Sequence, residues 1–216
     1  MIEPTHKPYV AQLSNGMALR TIQDLSQIEA VAKIHAEVHD AATAEMFYKI
    51  ASKHPAVTGR DMAFITDKEG NAVATLILIP WHLDYGIATI NAAELGIVST
   101  LEPYRRQGLN RALMEYYWLR FAERKCTLSI IQGIPNFYRR YGYEYALQPL
   151  TGGWRIQPDQ IASIIDMKTL FTIRRATLAD IPFLKKWFDV SNKNYQLRAQ
   201  RTIKVWEYLF EPTRAT

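Results

Sequence analysis

The chain has 216 residues, 48% of them hydrophobic and 22% charged, enough for one sizeable core or one domain with an extension. Its longest apolar run, 72–80, is far too short to cross a bilayer, and the opening Met1-Ile2-Glu3-Pro4 lacks the basic-then-apolar pattern of a secretion signal, so the cytoplasm is the expected compartment. The single cysteine, Cys126, excludes an intrachain disulfide and a thiolate metal cluster; the net charge of +5 lies wholly in 171–216, with nine Lys/Arg against four Asp/Glu, while 1–170 carry 17 of each, which argues against nucleic acid as a partner.

Two apolar stretches, Tyr9 to Leu13 and Met17 to Ile22, flank Ser14-Asn15-Gly16 and predict a hairpin. From Asp24 to Asp40 the positions Ile28, Val31, Ala32 and Val38 follow helical spacing, and a second helix is expected over Thr43 to Lys53, ending before Pro55. Three strands follow: Met62 to Thr66, Ala72 to Ile79 and Ile87 to Val98. Turns at Lys68-Glu69-Gly70-Asn71 and Asp84-Tyr85-Gly86 join them into an antiparallel meander. A helix is predicted over Arg105 to Arg124, with Leu109, Leu113, Tyr117 and Phe121 on its buried face. Then come a short strand over Thr127 to Gln132, a short helix near Asn136 to Tyr141 stopped by Gly142, and last strands at Tyr143 to Leu147 and Gly153 to Ile156.

The tail reads as a strand over Phe171 to Ala176, then a helix from near Ile181 opened by Thr177-Leu178-Ala179-Asp180. Trp187, Phe188, Trp206, Tyr208 and Phe210 indicate that the tail buries something. We divide the chain into a domain at 1–168 and an extension at 169–216.

The most informative run is Tyr104-Arg105-Arg106-Gln107-Gly108-Leu109-Asn110-Arg111. A strand–turn–helix junction aims several backbone N–H groups and the positive helix end outward, which suits a pyrophosphate; two arginines add charge there, and glycine lets a ligand approach the backbone. Some 25 residues on stands Phe137-Tyr138-Arg139-Arg140-Tyr141-Gly142-Tyr143. Together the two segments resemble the GCN5-related N-acetyltransferase (GNAT) superfamily. Its acyl-CoA signature is Arg/Gln-x-x-Gly-x-Gly/Ala, and its late helix carries Phe-Tyr-x-x-x-Gly-Phe/Tyr. Arg105-x-x-Gly108-x-Asn110 meets the first at two of three fixed positions. At Asn110, where the family prefers Gly or Ala, the side chain must turn aside while its N–H stays available.

The resemblance implies an α/β fold with a mixed, mostly antiparallel sheet flanked by helices, in which the strands before and after the phosphate-binding helix splay apart. It implies acetyl-CoA as co-substrate, lying in the resulting V, with its pyrophosphate at Arg105, Arg106 and the N–H groups from Gln107 through Gly108, Leu109 and Asn110 to Arg111. By position Ile97, Val98 and Ser99 form the strand edge that pairs with the pantetheine amides. Tyr138 matches the tyrosine that protonates or positions the departing sulfur. Glu94, 11 residues before Arg105, matches the general-base glutamate of some members; its apolar neighbours Ala92, Ala93, Leu95 and Ile97 are expected to raise its pKa. The tail resembles the opening of a second GNAT-like unit, or else packs on the first domain or on a second subunit.

His35-x-Glu37-x-His39 places two histidines on one helix face, but a zinc-protease helix needs its Glu directly after the first His, and no metal is expected. Phe47, Tyr48, Trp81 and Tyr85 are read as ordinary packing before any acceptor pocket. The function expected is direct acetyl transfer to a small-molecule amine, without membrane attachment. The alternative is a CoA-binding sensor that has lost catalysis.

Overall fold

A computed structural model describes residues 7–13, 15–146 and 174–212. The expected hairpin forms from β1 (Val10–Gln12) and β2 (Ala18–Thr21), paired antiparallel with Gly16 at φ +78°. Helix α1 (Leu25–Val38) begins at Asp24, whose carboxylate accepts from the Gln27 N–H at 3.0 Å. Helix α2 (Ala41–Lys53) begins at Asp40, capped the same way by the Thr43 N–H at 2.6 Å. Two such caps a short step apart turn the chain without breaking either amphipathic pattern.

The meander follows as β3 (Met62–Thr66), β4 (Ala72–Tyr85) and β5 (Ala88–Thr100). The second turn lies at Gly86-Ile87, so Asp84 and Tyr85 belong to β4 and not to the turn; Gly86 takes φ +59° there. Helix α3 (Leu109–Glu123) leads into β6 (Leu128–Ile130). The sheet runs β1-β2-β3-β4-β5-β6, antiparallel except for the parallel β5–β6 pair. Two cores result. Leu109, Leu113, Met114, Tyr116 and Tyr117 of α3 pack on one face with Leu19, Ile65, Leu78, Ala93 and Leu95. Ile28, Val31, Phe47 and Ile50 of α1 and α2 pack on the other with Ile22, Met62, Phe64, Ile77 and Ile79.

Three local expectations change. First, α3 starts at Leu109 and not Arg105, because Arg106 (φ +63°) and Gly108 (φ +80°) take left-handed conformations that a helix cannot contain. Second, Tyr143–Ala146 are not a strand: Gly142 ends a 3-10 turn at Tyr138–Tyr141 with φ +88°, and the Tyr143 ring turns inward. Leu147 and Gly153–Ile156 lie outside the described residues. Third, Arg174–Ala176 are not a strand, and 171–173 lie outside the described residues. Arg174 instead pairs with Asp180, 2.6 Å apart, at the mouth of α4 (Ile181–Asn192).

The strand of the extension is β7 (Leu197–Ala199), followed by α5 (Ile203–Phe210). It pairs antiparallel with Leu83–Tyr85 of β4, on the stretch that β3 leaves uncovered. Tyr208 of α5 meets the His54 ring at 4.9 Å between centroids and lies under the Lys49 ammonium at 5.0 Å. The extension therefore shares the main sheet.

Candidate active site

The parallel pairing of β5 with β6 covers only Ala92–Glu94 against Leu128–Ile130. Beyond Glu94 the two strands part, and the free edge of β5 opens on a cavity of about 1050 Å3. Its vertex is stitched by hydroxyls. Tyr117 reaches the Ala93 carbonyl at 3.2 Å and Ser129 Oγ at 2.6 Å, and Ser129 in turn meets the Tyr143 hydroxyl. These bonds satisfy polar groups that packing has removed from water, so they anchor the point where the strands diverge.

The cavity has three sides. Val98 and Thr100 supply the strand edge, Leu109, Asn110, Met114 and Trp118 one helix wall, and Phe137, Tyr138 and Tyr141 the facing wall. The loop before α3 is held by Tyr104, whose hydroxyl donates to Asp67 at 3.0 Å. That hydrogen bond, with burial and the Asp67 charge behind it, raises the Tyr104 pKa above its ordinary value.

The first backbone hydrogen bond of α3 runs from the Ala112 N–H to the Gly108 carbonyl, 3.1 Å. The N–H groups of Leu109, Asn110 and Arg111 thus stand ahead of the ladder at the positive end of the helix. Left-handed residues at Arg106 and Gly108 give the preceding turn the alternating geometry of anion-binding nests. A Cβ on Gly108 would meet no protein atom. What excludes a side chain there is φ +80° and the cavity it would enter, and a valine would strain the fold as well as crowd a ligand. Arg105 touches only the Thr100 carbonyl, Nε to O 3.3 Å, and neither Arg105 nor Arg106 makes an ion pair among the described residues. Arg111 is tied to Glu115 at 3.1 Å. Cations without carboxylate partners among the described residues, beside N–H groups ahead of the helix ladder, have the chemistry that suits an anion.

Tyr138 is 9% exposed and lines the cavity. Burial, reinforced by Tyr143 and Tyr141, pushes its pKa up to about 12, so its hydroxyl keeps its proton and serves as a donor. Asn110 has turned aside as expected: its Nδ2 donates to the Tyr141 hydroxyl at 3.1 Å, bridging the two walls.

Other predicted residues lie elsewhere. Gln107 folds back onto the Pro103 carbonyl at 3.0 Å. The side chains of Ile97 and Ser99 face α1 and not the cavity, so only their backbone belongs to its edge. Glu94 is half-buried, accepts from the Trp81 indole at 2.9 Å and is outside the cavity wall. Phe47 is core, and Tyr85 stands exposed at the hairpin tip. Sequence reasoning missed Met114 and Trp118, which flank the predicted buried stripe of α3. It also missed His39, brought to the β5 edge by the end of α1 with Nε2 3.4 Å from the Val98 carbonyl.

No helix among the described residues is long and apolar enough to cross a membrane. No curated protein sequence matches this chain. Among solved structures, Saccharomyces cerevisiae N-myristoyltransferase with bound myristoyl-CoA matches 94% of the chain at 15% identity with a TM-score of 0.67, and the chain covers 52% of that protein. A probable N-acyltransferase of Enterococcus faecalis matches 59% of the chain at 18% identity, TM-score 0.51, with 32% of its own length covered. The Escherichia coli GNAT family N-acetyltransferase YhbS in complex with CoA matches 62% at 18% identity, TM-score 0.50, with 72% of its length covered. Identities this low carry the fold alone, and the chain spans about half the length of the N-myristoyltransferase structures it matches. The sequence profile described as "Acetyltransferase (GNAT) domain" matches residues 19–146, a stretch that contains β2 through the Tyr138 turn and every wall of the cavity. With more than half of its length matched by that profile, the chain belongs to the GNAT acetyltransferase family.

Proposed function

We propose that the protein is an acetyl-CoA-dependent N-acetyltransferase that moves the acyl group directly to a small-molecule amine in the cytoplasm. The observation that carries this reading is the open start of α3, where Arg105 and Arg106, without a carboxylate partner among the described residues, and three N–H groups ahead of the helix ladder meet a cavity that Tyr138 also lines. The family membership supports acyl-CoA as the donor, and the length of the acyl chain is the finer part of the proposal. In this reading the backbone of 97–99 receives the pantetheine as a short added strand. Arg105, Arg106 and the amides from Gln107 to Arg111 hold the pyrophosphate. Glu94, which lies outside the cavity wall, takes the proton of the acceptor ammonium through bridging water, the neutral amine attacks the thioester carbonyl, and Tyr138 donates to the departing thiolate. Residues 1–168 are the transferase unit, and 169–216 are the opening of a second GNAT-like unit.

Calorimetry with acetyl-CoA and myristoyl-CoA, followed by turnover with a panel of primary amines, tests the reading. Acetyl-CoA should bind and be consumed. Preference for the myristoyl donor would correct the acyl chain, and binding without turnover would make the chain a CoA-binding sensor. Tyr138→Phe should lower kcat about 100-fold with little change in cofactor affinity. Glu94→Gln should depress turnover near neutral pH and recover partly at higher pH, where more acceptor is already neutral. Full activity across the pH range would return Glu94 to its structural bond with Trp81.

A further inference from the structure

The free end of β5 is irregular in a way that costs energy. Its register against β4 shifts between the Ile77–Gly96 and Thr75–Ser99 pairs, so one extra residue is accommodated there. Ile97, a β-branched residue, sits at φ +22°. Such a conformation persists only where the surroundings over-determine it. Gly96 permits the bulge to pack, since a Cβ there would come within 2.9 Å of Ile79 Cδ1.

Two histidines one turn apart on α1 grip the next two residues. His35 is fully buried and its Nδ1 lies 2.7 Å from the hydroxyl of Ser99, which is 2% exposed. His39 approaches the Val98 carbonyl with Nε2 at 3.4 Å and lines the cavity. The rings stack with centroids 6.4 Å apart. Burial, then the neighbouring His39, lowers the His35 pKa to about 3, so the His35–Ser99 bond does not loosen at neutral pH. A carbonyl oxygen has two lone pairs, so the contact with His39 occupies one acceptor position on Val98 and leaves a second.

Resting on the acyl-CoA reading above, we propose that His35 and His39 are positioning residues for the cofactor. Acting through Ser99 and Val98, they hold the bulged edge of β5 in the register that receives the pantetheine arm. Their bonds run to Ser99 and Val98, while the phosphate is assigned to Arg105, Arg106 and the start of α3. The ligand that reports their role is therefore one with a pantetheine arm, and the control is one without.

The experiment is calorimetry of CoA and of adenosine 3′,5′-bisphosphate, which lacks pantetheine, on the wild type, Ser99→Ala and His39→Ala. The substitutions are made separately, and thermal melting checks each fold. His39 is exposed, so its truncation leaves a usable variant even if the buried Ser99 change does not. Ser99→Ala should lose about tenfold in CoA affinity, the scale of one buried hydrogen bond, and His39→Ala about fourfold for its exposed one, while both stay within about twofold of wild type for the bisphosphate. Unchanged CoA affinity in the folded variants would overturn the proposal. Equal losses for both ligands would also overturn it, since that is the signature of a general structural role. A wild type that binds neither ligand would instead remove the acyl-CoA reading itself.

Discussion

Helix α3 has two arginines near each end, and they do opposite things. At its start Arg105 and Arg106 have no carboxylate partner among the described residues and face a cavity. At its finish Arg120 and Arg124 both close on Asp61, which is fully buried below the 3-10 turn leading into β3. Burial alone would raise the Asp61 pKa. The hydrogen bond and charge of Arg124, then those of Arg120, outweigh it and hold the carboxyl below its ordinary value. Asp61 also caps its own turn, accepting from the Thr58 N–H at 2.7 Å. The same side chain is thus structural where a buried acid neutralises it and available for a ligand where none does.

The largest effect should come from breaking the closed end. Asp61→Ala leaves two poorly exposed guanidiniums facing each other, and should destabilise the fold by about 3 kcal/mol in denaturant melts. The CoA affinity of the folded fraction should be unchanged. If that affinity falls as much as the stability, the two ends of α3 are not independent.

The open end should answer in the reverse sense. Replacing Arg105 and Arg106 together by alanine should weaken CoA binding about thirtyfold, roughly 2 kcal/mol, while the melting temperature stays put. Loss of stability on that scale would show that the pair has a structural partner after all.

The smallest effect is in the pH dependence, and it separates the buried groups from the open end. His35 is lowered from 6.5 to about 3, so the unfolded chain binds its proton first. Stability is full above about pH 6.5 and declines as the pH falls toward 3. His54, lowered chiefly by burial, adds to the same limb. The Asp61 contribution is full above 3.8 and is lost only below that, as the pH falls through its depressed value. Melts at pH 7 and 5.5 should therefore differ by about 1 kcal/mol, and His35→Gln should shrink that difference. The double arginine variant should keep the whole profile, because the contact of Arg105 is with the Thr100 carbonyl and not with His35 or His54.

Much of this was legible in the chain alone. Local signals named the first two helices, the hairpin around Gly16, the meander and the buried stripe of α3, because each depends on neighbours a few residues apart. That Arg105, Arg106, Gly108 and Tyr138 come together on one cavity was legible through their motifs. What failed was also physical. Arg105 to Gly108 have the composition of a helix start, but two left-handed residues make them a turn.

By itself the sequence determined the order of the elements from β1 to β6, which follows from periodicity and short-range spacing, while the resemblance of its motifs to the family marked the residues at the open end of α3. Only the tertiary structure decided which side chains face the cavity. The bulge at Ile97 turns Ser99 to His35 and leaves Val98 at the edge beside His39, across 64 and 59 residues of chain. It also decided that Arg120 and Arg124 are closed while Arg105 and Arg106 are open. That depends on where Asp61, far away in sequence, comes to rest, and long-range packing sets such a distance where local propensity cannot.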